Sequence, residues 1–129
     1  MNIHADIIDE YKEFINSCSE SLLEYRLTPC SDLTPYARCF AIFGLKLIKQ
    51  DVLLNRNSQA LAEAIRASLN ATKYNREKMG INIQYDKPYL QLLTFSLSAL
   101  NCINQLSDDP LEDHITSIIS QDVKEYLLA

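Results

Sequence analysis

Glycine is almost missing from this sequence, with two residues in 129 beside four prolines. Such scarcity leaves little material for tight hairpins or many short loops, which disfavours sandwiches and barrels and favours helices. Two glycines also cannot build the loops of G-x-x-x-x-G-K, G-x-G-x-x-G or G-x-S-x-G, and none of these motifs occurs. Histidine is equally rare, at two residues, which removes most histidine-rich metal sites and His-Asp phosphohydrolase sites. A di-iron bundle needs Glu-x-x-His pairs, and neither His4 nor His114 follows a glutamate at that spacing.

Long apolar runs are lacking too. The two longest, Cys39 to Ile48 and Leu90 to Ile103, contain Lys46 or Gln91 and Asn101, and both fall short of the roughly 18 residues of a membrane span. The opening "MNIHADIIDEYKEF" places acids where a secretory leader carries bases and an apolar core. A cytoplasmic protein with no membrane contact is the expectation. Cys18, Cys30, Cys39 and Cys102 include no C-x-x-C pair and fall mostly on apolar stripes, so they read as reduced, structural thiols. Cys30, beside Pro29, is the one expected to be accessible.

What the sequence does have is 47% hydrophobic residues, and a chain of this length buries about two-thirds of the surface its unfolded form exposes. A single all-α domain over residues 1–129, of about five to six helices, is predicted. Residues 3 to 26 carry Ile7, Tyr11, Phe14, Ile15, Cys18 and Leu22 at helical spacing, which predicts one long amphipathic helix ending before Pro29. The stretch "TPYARCFAIFGLKLIKQ" opens with Thr34 as N-cap and Pro35 at the first helical position. It is apolar nearly all round and should be central. A third helix follows the cap candidate Ser58, with Leu61, Ala64, Ile65, Ser68, Leu69 and Thr72 on one stripe and Gly80 as terminator. "INIQYD" is too short to be more than a loop or an isolated extended piece. Further helices are predicted from "KPYLQLLTFSLSALNCINQL", from Asp109-Pro110 and from Gln121 to Leu128. Phe43 and Phe95 are the expected aromatic anchors of the two central helices.

"TPYARCFAIFGLKLI" and "KPYLQLLTFSLSAL" share Pro-Tyr at the helix start, and a more amphipathic helix follows each. Two buried helices with their covering partners suggest tandem helical hairpins, solenoid-like or an orthogonal bundle. The alternative is that any buried helix opened by proline looks similar.

Charge is segregated. Residues 1–25 hold six acids against Lys12, residues 26–87 hold ten bases against five acids, and residues 88–129 hold six acids against Lys124. The formal net charge is −5. The sharpest acidic cluster is "SDDPLEDH". Its Asp108, Asp109 and Glu112 are faintly similar to the aspartate-rich motif of prenyl-diphosphate and terpene enzymes. However, Pro110 puts these carboxylates at a helix start, no second metal motif follows, and the chain is too short for the cavity such enzymes need. Asp109 as N-cap, Pro110 as first residue and Glu112 at the third position form a capping box, so no metal or cofactor is expected. Four carboxylates exceed what a cap needs. Asp108, Glu112 and Asp113, joined by Asp6, Asp9 and Glu13 from the first helix, are therefore the candidate partner-binding residues. The basic run Lys73, Arg76, Lys78 and Lys87, interleaved with Tyr74 and Tyr85, reads as a solvated connection, because a pI near 4.9 argues against nucleic acid.

In size, acidity and helical character the chain resembles bacterial toxin-immunity proteins of the contact-dependent-inhibition or nuclease-bacteriocin type. The resemblance implies a protein, not an enzyme, that binds and neutralises a basic toxin domain; these families share no motif, so it carries over no residue. Two other readings stand beside it. One is a helical adaptor that holds a peptide or helix in a groove between hairpins. The other is a small-ligand-binding or enzyme-associated subunit using a pocket near Tyr36, Arg38 and Tyr89, where the two Pro-Tyr starts meet.

Overall fold

The computed structural model describes residues 3–106, an all-α fold. Its helices are α1 (Ile3–Ser17), α2 (Pro35–Leu47), α3 (Asp51–Arg56), α4 (Ser58–Lys78) and α5 (Lys87–Cys102), with one turn of 3-10 helix at Ile83–Tyr85. The expected helices from Asp109-Pro110 and from Gln121 lie outside the described residues.

The long helix expected over 3–26 stops at Ser17. Three serines at alternate positions explain the stop, because serine hydroxyls compete for backbone groups that a helix needs. The Ser17 hydroxyl donates to Phe14 O at 2.6 Å, the Ser19 hydroxyl donates to Ser21 O at 2.6 Å, and the Ser21 hydroxyl accepts from Leu23 N at 3.3 Å. The chain then doubles back through isolated antiparallel pairings of Ser19 with Tyr25 and of Arg26 with Leu33.

α2 opens as its sequence dictates. The Thr34 hydroxyl accepts from Ala37 N at 3.0 Å, and Pro35 fills the first turn. The helices α2, α4 and α5 close with one device. Lys49, Gly80 and Asn104 adopt φ of 62°, 79° and 56°. The next amide reaches back five residues each time, in Gln50 N to Leu45 O (2.9 Å), Ile81 N to Arg76 O (3.0 Å) and Gln105 N to Leu100 O (2.9 Å). These are Schellman ends, and only Gly80 is the residue they normally favour. The first of them ends α2 sooner than its apolar pattern suggested and leaves room for the unforeseen α3.

α2 and α5 lie side by side in the same direction. The Tyr36 hydroxyl at the start of α2 donates to Pro88 O at the start of α5, and the Phe40 ring lies 5.2 Å from that of Phe95 midway. α4 covers both helices, burying Leu61, Ala62, Ile65 and Leu69 against Ile42, Leu45, Leu92, Ala99 and Leu100. Phe43 and Phe95 are only half-buried at the edge of this core.

Candidate functional site

Asp108, Glu112 and Asp113, half of the expected acidic surface, lie outside the described residues. The other half is on α1. Asp6, Asp9 and Glu13 are all exposed there, together with Glu10. At about 100° per residue these four carboxylates share one arc, and Ile7, Tyr11, Phe14 and Ile15 share the opposite one.

That apolar arc is the feature the sequence pattern concealed, since a stripe at helical spacing normally marks a buried face. Of its members only Ile15 is buried, and α1 meets α2 at Gly44, where a β-carbon would lie 3.0 Å from Ile15 Cδ1 and 3.2 Å from Tyr11 Cε1. Beyond this crossing Ile7 remains 57% exposed and Phe14 50%. Phe14 joins Leu27 and Phe40, themselves 49% and 44% exposed, around a cavity of about 90 Å³ between α1, the 18–33 connection and α2. Ala37, Ala41 and Cys18 also line this groove. Its one charged lining residue, Arg26, is paired with Glu20 at 2.7 Å.

Arg38 holds the groove wall in place. Although buried, it donates through Nε to Leu23 O (2.6 Å), through Nη1 to Ser68 Oγ (2.8 Å) and Ala64 O (3.2 Å), and through Nη2 to Glu24 Oε1 (3.1 Å). The guanidinium therefore ties the 18–33 connection to α2 and α4. Tyr25, the buried centre of that connection, has its phenol pushed up by burial.

The two Pro-Tyr starts meet as foreseen, in the Tyr36 to Pro88 hydrogen bond. Tyr89 is fully buried, and burial pushes its phenol up to about 12, helped by the nearby Glu77 charge. Burial also raises the Cys39 thiol to about 11, against a Ser96 hydrogen bond and the Arg38 charge, so at neutral pH it is no thiolate. Cys18 is buried and Cys30 exposed, as expected. In the basic run, Arg76 pairs with Asp86 at 3.3 Å and Lys73 approaches Glu77 at 3.9 Å, while Tyr74 and Tyr85 are exposed.

Among the described residues no group of three or more His, Cys, Asp or Glu side chains is placed to hold a metal ion. No described helix is long and apolar enough to cross a membrane. Compared with known proteins, the chain matches no family model, no curated sequence and no solved structure.

Proposed function

We propose that this protein works by binding another protein through the surface built on α1, and that its partner is basic. The observation that carries this reading is α1 itself, a 15-residue helix that presents large apolar side chains on one arc and four carboxylates on the other, both open to solvent. Contiguous exposed apolar surface on a small protein marks an interaction site. Carboxylates beside it favour a cationic partner and raise the encounter rate.

The most concrete form of this function is immunity, in which the protein neutralises a nuclease-type toxin by occupying the cationic cleft that would hold nucleic acid. Asp6, Asp9 and Glu13 would face that cleft, joined by Asp108, Glu112 and Asp113. A non-catalytic role agrees with the protonated Cys39 thiol and with an Arg38 whose donors are engaged within the fold.

The test is capture of the partner by the immobilised full chain, followed by kinetics with the purified pair. Asp9→Lys with Glu13→Lys should slow association at least tenfold and leave the fold intact. The wild-type rate should fall as salt rises from about 50 to 500 mM, where the screening length drops below about 5 Å. An acidic partner, or association indifferent to both changes, would overturn the reading. A helical adaptor, the alternative favoured by the apolar groove, would show that indifference while still losing its partner when the groove is altered.

A further inference from the structure

We propose that the groove between α1, the 18–33 connection and α2 receives an amphipathic helix of the partner, with apolar side chains at i, i+3 or i+4 and i+7 and with Lys or Arg along the edge that meets α1. This rests on the reading that the protein binds a basic protein, and it adds the element that would be recognised. A cavity of about 90 Å³ is well below the roughly 300 Å³ at which small-molecule pockets begin. It suits a single inserted side chain. The apolar surface continues past the cavity along α1 from Phe14 to Ile7, two helical turns or about 10 Å, which matches the i to i+7 reach of a partner helix.

Charge decides the kind of helix. Asp6, Asp9, Glu10 and Glu13 outnumber Lys12 on α1, and Glu20 already neutralises Arg26 in the groove. A second copy of α1 in the groove would bring two acidic helices together. Lys and Arg on the incoming helix would instead extend their flexible stems over Phe14 and Ile7 and place their charges beside the carboxylates.

The probe is a fluorescent 18-residue peptide with leucine at the i, i+3/i+4, i+7 positions and lysine on both flanks. One control scrambles the same composition, and another replaces lysine with glutamate. The full-length protein should bind the lysine peptide at least tenfold more tightly than either control, and Phe14→Ala with Leu27→Ala should weaken that binding at least tenfold. Both side chains are about half exposed, so unchanged melting is expected of the variant. Should it unfold, a photoreactive leucine analogue in the peptide must label α1 or residues 18–33 of the wild-type protein. Equal binding of the scrambled peptide, or labelling elsewhere, would overturn the proposal. So would a concentration-dependent dimer abolished by the Phe14 and Leu27 changes, which would make a second copy the occupant. A Lys12 to Lys124 crosslink that the peptide does not displace would do the same by making residues 107–129 the occupant. Capture of a basic partner that is slowed by the Asp9 and Glu13 reversals but indifferent to the groove variant would sink this inference alone and leave the proposed function standing.

Discussion

Arg38 and Tyr89 show how chemically capable side chains become structural ones. A buried guanidinium is tolerable only when its donors find acceptors, and Arg38 finds two carbonyls, a hydroxyl and a carboxylate on two other segments, the 18–33 connection and α4. Arg38→Ala should therefore cost about 3 kcal/mol in urea melts, since it orphans the Leu23 carbonyl, which lies outside any helix, and removes the guanidinium shared by Ser68 and Glu24 at a buried position. Arg38→Lys should recover less than half of this, because one ammonium cannot span acceptors held in a fan. Tyr89 gives a pH prediction. Its phenol, ordinarily at 10.0, is held up to about 12 in the folded protein, so both states are neutral below pH 10 and its contribution is fully present there. Between pH 10 and 12 the unfolded chain ionises and the folded one does not, so stability falls by about 1.4 kcal/mol per pH unit. Tyr89→Phe should flatten the slope of stability against pH by that amount in this window, and an unchanged slope would mean that another group governs alkaline unfolding.

At the level of elements, the helices most legible in the sequence were those whose start or stop was written in one residue. Thr34-Pro35, Lys87-Pro88 and Gly80 each acted as read. The end at Lys49 was less legible, because lysine takes left-handed geometry there only under the pull of the Schellman hydrogen bonds, and Asn104, though asparagine enters that region more readily, is a weaker stop than glycine. The end of α1 was also obscured: Cys18 continues the stripe and is buried, yet it sits in a turn set by serine hydroxyls rather than in a helix. The same stripe hid the groove, since spacing reports which residues share a face and not whether anything covers it. A non-glycine residue in the left-handed region costs about 1 kcal/mol. Lys49→Gly should accordingly raise stability by about 0.5–1 kcal/mol, and Gly80→Ala should lower it by about 1 kcal/mol, both read from the urea midpoint at constant slope. No gain from Lys49→Gly would indicate that the extra backbone freedom glycine gives the unfolded chain cancels the relief.

Over the whole molecule, charge is divided more sharply than the three-part pattern suggested. Residues 3–106 carry eleven acids and eleven bases, so the formal −5 comes entirely from residues 107–129, which hold the "DDPLED" cluster. On α1, by contrast, acidity is a local property of a neutral body, set by which bases lie elsewhere in the fold. Lys12 is the one base within α1 to set against Asp6, Asp9, Glu10 and Glu13, while Lys46 is turned to Asp51 at 2.7 Å, Arg26 to Glu20 and Arg76 to Asp86. An acidic surface made this way attracts cations diffusely, through the Debye atmosphere, whereas a coordination site binds them at fixed stoichiometry. The two behave differently under titration. A site that binds only the folded state stabilises it by RT ln(1 + [L]/Kd), about 2.7 kcal/mol at a hundredfold excess over Kd, and saturates. Diffuse screening gives a small shift that tracks ionic strength. Millimolar Mg²⁺, Mn²⁺ or Zn²⁺ should therefore move the melting temperature no further than NaCl of equal ionic strength. A saturable rise that is lost in Asp108→Asn with Asp109→Asn would assign the cluster to metal binding and remove Asp108 and its neighbours from the proposed partner surface, leaving α1 to act without them.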